Sequence, residues 1–122
     1  MKILICEDHE VEMKVIQVAL KDENIDWTCV NDGRKALKIL EEQNDFDLII
    51  TDIHMPHNNG DEILHLVRET QKKATPFIMI SSDDQEEVIR LALRLGVNEF
   101  IEKPIDPVTV RKKVTKYLRT IH

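Results

Sequence analysis

Four short apolar runs of this chain are each followed, within two residues, by side chains that could do chemistry. The runs are residues 2–6, 46–51, 77–80 and 98–101, and the side chains after them are Glu7 and Asp8, Asp52, Ser81 and Lys103. Three carboxylates held together repel one another strongly, so such a cluster is favoured when a hard cation neutralises it. Carboxylate oxygens with open coordination positions suit Mg²⁺, which also recruits phosphate. The pattern predicts a magnesium site that handles a phosphoryl group, with Lys103 as a fixed positive charge and Ser81 as a hydroxyl donor.

Each of these residues also has an ordinary structural explanation when it is taken singly. An aspartate at the end of a strand often caps a helix or forms a turn, and a serine there does the same. A lysine such as Lys103 commonly forms a surface ion pair. Because all of these residues follow strands that could share one edge of a sheet, we favour the chemical interpretation.

The elements that must position these residues follow from the apolar periodicity. Predicted strands cover residues 2–6, 26–30, 46–51, 77–80 and 98–101, and predicted helices cover about 9–22, 34–43, 60–71, 85–95 and the stretch from 106 onward. Strands that alternate with helices over short loops are typical of βαβ crossovers, a parallel sheet and helices on both faces. The carboxyl ends of parallel strands lie at one edge of the sheet, where ligands bind in open α/β folds.

Composition limits the classes of protein to which the chain can belong. Its 122 residues, 42% of them hydrophobic and 33% charged, favour one globular domain over residues 1–122. A net charge of −6 gives no general electrostatic reason to bind nucleic acid or an anionic membrane. We find neither a spanning helix nor a signal peptide and expect a cytoplasmic protein, with Cys6 and Cys29 as buried free thiols.

In these residues the chain resembles the receiver domains of two-component response regulators, and in particular single-domain chemotaxis regulators. The motifs that carry the resemblance, in order, are Glu7-Asp8, Asp52 with Met55-Pro56 and Gly60, Ser81, and Lys103-Pro104. The resemblance covers essentially the whole chain. It implies an α/β fold of the flavodoxin-like type, with three layers, doubly wound, and a five-stranded parallel sheet in the order 2-1-3-4-5.

The resemblance also implies a role for each site residue. Asp52 would accept a phosphoryl group from a sensor histidine kinase or a histidine phosphotransfer protein. Mg²⁺ would be bound by Asp8, Asp52 and the backbone carbonyl of His54, with Glu7 acting through a water molecule. Ser81 and Lys103 would contact the phosphoryl oxygens, and the Lys103–Pro104 peptide bond would be cis. Ser81 and Phe100 would form the switch, and His54 and Asp83 would tune the phosphoryl lifetime.

Two other protein classes fit the same residues less well. A dehalogenase-type phosphatase also uses an aspartate nucleophile, but it needs a second aspartate where this chain has His54. A flavodoxin needs a phosphate loop after the first strand, and Glu7-Asp8 would repel the phosphate of the flavin. We therefore expect a signalling switch rather than an enzyme. The chain could act alone, pass the phosphoryl group on as a phosphorelay intermediate, or be part of a longer regulator; Met1, directly before the first strand, favours a native start.

The predicted fourth helix, fifth strand and fifth helix could form an output surface for an effector protein or for a second copy of the chain. The fourth helix has an apolar arc too wide for one face, which leaves Ile89 and Leu93 difficult to bury. The basic residues of the fifth helix are Arg111, Lys112, Lys113, Lys116 and Arg119. An apolar strip rimmed by charge is typical of a protein contact surface. The alternative is a solvated basic helix, which the dipole at its carboxyl end favours in any case.

Overall fold

A computed structural model describes residues 1–55, 59–82 and 86–121. Its centre is a sheet of five parallel strands: β1 (Lys2–Cys6), β2 (Asp26–Val30), β3 (Leu48–Asp52), β4 (Phe77–Ser81) and β5 (Glu99–Glu102). The strands lie in the order β2-β1-β3-β4-β5. Both the doubly wound class and this strand order confirm the predictions.

Within the described ranges, five α-helices cover the two faces of the sheet: α1 (Glu10–Ala19), α2 (Gly33–Glu42), α3 (Gly60–His65), α4 (Glu86–Leu95) and α5 (Pro107–Ile121). Alternate side chains of β1, β3 and β4 enter two separate cores, because successive strand residues point to opposite faces. One core joins Leu4, Ile49 and Phe77 to α2, α3 and α4, and the other lies against α1 and α5. Among the described residues, no helix has the length and apolar composition that crossing a membrane requires.

The third helix does not run to Gln71 as one α-helix, as the apolar periodicity predicted. After His65 the chain widens into a π-helical turn, Leu66–Thr70, and the Gln71 amide donates to the Leu66 carbonyl at 2.8 Å. This turn carries Arg68, whose guanidinium donates to the carbonyl of Gly96 at 3.1 Å and so ties the turn to the end of α4. The spacing of apolar residues cannot predict a contact between residues so far apart in the chain, so the π-helical turn was not predicted.

The cysteine prediction was correct for one thiol and wrong for the other. Both cysteines are free, and Cys6 is fully buried in β1, where burial raises the pKa of its thiol. Cys29 is exposed. The reason is its place in β2, which is an edge strand of the sheet and is therefore covered less completely than β1, β3 and β4.

Candidate functional site

Asp52 lies at the carboxyl end of β3, and the rest of the site is arranged around it. Only 2% of the residue is exposed. Its Oδ2 accepts a hydrogen bond from Lys103 Nζ at 2.5 Å, and its Oδ1 accepts one from the His54 amide at 3.2 Å. Burying a carboxylate is costly unless it is paired and hydrogen-bonded, and both conditions are met here.

Lys103 reaches Asp52 from the segment that follows β5. Its amide donates to the Ser81 carbonyl at 2.7 Å, which fixes the start of this segment against the end of β4. The Lys103–Pro104 bond is cis, as predicted. Burial alone would lower the pKa of the Lys103 ammonium, but hydrogen bonds to Asp52 and Glu12 raise it above its ordinary value. The ammonium group therefore stays charged beside the carboxylates.

Glu7, at the end of β1, is a second buried carboxyl group, with 1% of the residue exposed. Burial, and then the charge of Asp52, raise the pKa of Glu7 to about 9. Its Oε1 accepts a hydrogen bond from the His9 amide at 3.1 Å, whereas its Oε2 receives none from the part of the chain that the structure describes. A buried carboxyl oxygen with no donor, next to another carboxylate, is a position that a cation would satisfy.

Two residues that the sequence did not single out also lie at this site. Glu7, His9, Glu12 and Asp52 each offer a ligand atom, and within the described ranges these atoms all lie within 4.8 Å of one another. Glu12 Oε2 lies 3.0 Å from Lys103 Nζ. A signal for both residues was available, because α1 begins immediately after the acidic pair and residues at spacing i, i+3 share a helix face.

Asp8 is at the rim of the site rather than at its centre. Its Oδ1 lies 3.2 Å from His9 Nδ1, and 30% of its side chain is exposed. The structure thus brings Glu7, Asp52 and Lys103 into one buried cluster and leaves Asp8 beside it, partly in solvent.

The remaining predicted site residues lie on the neighbouring strands and loops. Ser81 ends β4, next to β3, and is 3% exposed. The His54 side chain is exposed on the loop after β3, and Phe100 is half-buried against the core under α2, α3 and α4. Pro56 and Asp83 lie outside the described residues.

Gly60 closes the loop that leaves Asp52. Its amide donates to the Ile53 carbonyl at 2.8 Å. A Cβ at this position would lie 2.6 Å from the Asp52 carbonyl oxygen and 2.8 Å from Thr51 Oγ1. Only glycine therefore allows the start of α3 to pack this closely against the end of β3.

Comparison with known proteins agrees with this geometry. The family described as the response regulator receiver domain matches residues 3–115. This chain is a response regulator receiver. Its relatives include the two-component response regulator ORR5 of Oryza sativa subsp. japonica, 31% identical over 118 residues, which are 96% of this chain and 88% of ORR5. Chemotaxis protein CheY-3 of Vibrio cholerae is 34% identical over 118 residues, 95% of this chain and 90% of CheY-3.

Solved structures share the fold of this receiver. The chemotaxis response regulator CheY4 of Vibrio cholerae superposes with a TM-score of 0.83 at 28% identity, over 95% of this chain and 97% of that one. The Francisella response regulator 1452 receiver domain gives a TM-score of 0.81 at 30% identity, over 98% of each chain. Receiver domains are signalling switches that typically bind a divalent metal, and the acidic group around Glu7 and Asp52 fits such a site.

The surface formed by α4, β5 and α5 carries both apolar and charged groups. Leu93 is 59% exposed on α4, whereas Ile89 is half-buried. Lys113 donates to the Phe100 carbonyl at 2.6 Å and lies 3.8 Å from Glu99, which also pairs with Lys116 at 3.4 Å. Part of the basic charge of α5 is thus already neutralised by β5. The side chain of Arg119 lies outside the described residues.

Proposed function

We propose that residues 1–122 form a phosphorylation switch in which Asp52 accepts a phosphoryl group from a sensor histidine kinase or a histidine phosphotransfer protein. The observation that carries this proposal is the buried Asp52 carboxylate, which pairs with Lys103 Nζ at 2.5 Å and lies beside the buried Glu7 carboxyl group. The family to which the chain belongs supports it, because receivers signal in two-component systems.

Asp52 would act as the nucleophile. One of its carboxylate oxygens forms the new bond to phosphorus, and the bond from phosphorus to the donor's histidine nitrogen, or to the carboxylate oxygen of acetyl phosphate, breaks. The leaving group takes the bonding electron pair: acetyl phosphate releases acetate, and a phosphohistidine whose other ring nitrogen carries a proton releases a neutral imidazole. Lys103 and the Ser81 hydroxyl would then contact the phosphoryl oxygens, so positioning and charge stabilisation do most of the catalytic work.

The divalent metal of the family fits the oxygen groups at this site. Asp8, Asp52 and the His54 carbonyl would hold Mg²⁺, and Glu7 would act through a metal-bound water. The support for this assignment is Glu7 Oε2, which is buried without a donor among the described residues. A bound divalent cation supplies positive charge that offsets the carboxylates and the incoming phosphoryl oxygens.

The output would pass through the surface formed by α4, β5 and α5 to an effector protein or to a second copy of the chain, and we place this switch in the cytoplasm. Ser81 and Phe100 would couple phosphorylation to that surface, since Ser81 ends β4 and Phe100 lies on the adjacent β5. His54 and Asp83 would adjust the lifetime of the phosphoryl group, because they follow Asp52 and Ser81 by two residues each.

Mass spectrometry of the intact protein tests the phosphoacceptor assignment. Acetyl phosphate with Mg²⁺ should add one phosphoryl group to the wild type and none to Asp52→Asn. Asp45→Asn is the matched control, because Asp45 is exposed and pairs with Lys2 at the opposite edge of the sheet. Labelling of Asp52→Asn at the wild-type level would show that another residue is the acceptor.

The second candidate function is a receiver that works within a longer protein or passes the phosphoryl group on. One specific observation favours it. The sensory/regulatory protein RpfC of Xanthomonas campestris is 33% identical over 108 residues, which are 86% of this chain but only 15% of RpfC. The labelled chain should be mixed with a histidine phosphotransfer protein. Transfer to its histidine would favour the relay, and retention on Asp52 would favour a terminal switch.

A further inference from the structure

The imidazole of His9 stands among the carboxylates of the site. Its Nδ1 lies 3.0 Å from Glu7 Oε1 and 3.2 Å from Asp8 Oδ1. Glu12 Oε2 is 3.7 Å from the same nitrogen. A nitrogen ligand is not what Mg²⁺ prefers, since that ion selects hard oxygen ligands. Imidazole instead suits Zn²⁺, Ni²⁺ and other transition metals.

The separations between these atoms are those of neighbouring ligands on one small ion. In an octahedral ion, metal–ligand bonds of about 2.1 Å at right angles place adjacent ligand atoms about 3.0 Å apart. The distances from His9 Nδ1 to Glu7 and Asp8 match this spacing. Independently, Glu7 Oε2 is buried, and no donor within the described ranges satisfies it. A cation bound among the grouped ligand atoms of Glu7, His9, Glu12 and Asp52 would give this oxygen a partner.

We propose that His9 Nδ1 is an additional ligand of the metal site, so that this receiver binds borderline transition metals such as Ni²⁺ and Zn²⁺ through nitrogen as well as oxygen. The inference rests on the metal site of the proposed function and extends it to the class of ion that the site selects. His9 is 62% exposed, so its ring can turn toward an ion that enters from solvent.

The competing explanation is that His9 is a cation that neutralises Glu7 and Asp8 itself. The two explanations predict opposite results for His9→Ala. If the imidazole is a cation, its removal leaves more negative charge and strengthens the binding of every divalent metal. If it is a ligand, its removal weakens the binding of the metals that accept nitrogen and leaves Mg²⁺ nearly unchanged.

Isothermal titration calorimetry of chelator-treated protein, with Ni²⁺ and with Mg²⁺ in separate titrations, measures this difference. We expect His9→Ala to weaken Ni²⁺ binding by at least about tenfold and to change Mg²⁺ binding by less than about threefold. The matched control is His65→Ala, an exposed histidine on α3, which should bind both ions as the wild type does. Tighter or unchanged Ni²⁺ binding by His9→Ala would overturn the proposal, as would an equal loss for both ions or an equal loss in His65→Ala.

A second measurement needs no variant and so does not depend on how well His9→Ala folds. In ¹⁵N spectra of the wild-type imidazoles, the Nδ1 resonance of His9 should shift strongly when Zn²⁺ is added and much less when Mg²⁺ is added, because only Zn²⁺ bonds to the nitrogen. A His9 Nδ1 resonance that ignores Zn²⁺ would refute the ligand assignment. Both measurements use no phosphoryl donor. If Asp52 is not phosphorylated but His9 still binds the metal, the phosphoryl function alone is rejected. If Asp52 is phosphorylated but His9 does not bind the metal, the His9 ligand alone is rejected.

Discussion

Replacing Glu7 with glutamine should stabilise the metal-free protein. The carboxyl group is 1% exposed, one of its oxygens has no donor within the described part of the chain, and Asp52 adds a like charge. Glutamine keeps the shape and cannot ionise in either the folded or the unfolded chain. At each pH, the gain in the free energy of unfolding should therefore equal the free-energy cost of burying the Glu7 carboxyl group in the wild type.

The magnitude follows from the pKa of Glu7, which rises from 4.5 to about 9 on folding. Below pH 4.5 the carboxyl group is protonated in both states, so the stability contribution of the neutral form is fully present. As the pH rises toward 9, only the unfolded chain ionises freely, and the wild type loses about 1.4 kcal/mol of stability per pH unit. At neutral pH the loss amounts to about 3 kcal/mol, which Glu7→Gln should recover in large part.

Urea unfolding in a chelating buffer, from about pH 5 to about pH 8, measures this difference. The advantage of Glu7→Gln should be smallest at the acid end and grow with pH. Added Mg²⁺ should reduce it, because a ligand that binds the folded state stabilises the wild type. Glu41→Gln, an exposed glutamate on α2, is the control and should stay within about 0.5 kcal/mol of the wild type. An advantage that is absent at neutral pH, or that does not vary with pH, would refute the reasoning.

Two further changes test the loop and the output surface. Gly60→Ala brings a Cβ to 2.6 Å from the Asp52 carbonyl oxygen. It should therefore lower the free energy of unfolding in urea by about 1–3 kcal/mol and slow the phosphorylation of Asp52. A variant as stable as the wild type would contradict this close approach. Leu93→Asp and Lys113→Glu should each weaken the beryllofluoride-activated complex with a partner or a second copy, measured by analytical ultracentrifugation. Val18→Asp on α1 is the control and should leave the complex as strong as in the wild type. If only this variant weakens the complex, the output uses another face.

Some features of this protein could be predicted from the sequence because they depend on neighbours along the chain. Apolar runs of strand length that alternate with helical periodicity predict five parallel strands, and each strand's carboxyl end is then known. This places Glu7, Asp52 and Ser81 at one edge before any contact is known. The residue types and their positions after the strands are enough to favour a site that combines a metal ion, a hydroxyl group and an ammonium group.

The stripe of α1 that faces the sheet was also predictable, because bulk and spacing decide it. The apolar residues of the first helix form two stripes, Met13-Ile16-Leu20 and Val11-Val15-Val18-Ala19, and the bulkier one is expected to face the sheet. Ile16 and Leu20 are indeed buried, whereas Val11 and Val18 are exposed. By contrast, the exposure of Cys29 depended on the place of β2 at the edge of the sheet. A strand's own residues do not state whether another strand will lie beside it.

Only the tertiary structure brought Glu12 against Lys103 and set the π-helical turn after α3. The contact of Glu12 with Lys103 joins residues that are 91 positions apart, and that of Arg68 with Gly96 joins residues that are 28 apart. Periodicity reports which face a residue occupies within its own helix or strand. The distance between two side chains on different elements depends on strand register and on how each helix packs against the sheet, and these are fixed only when the whole core forms.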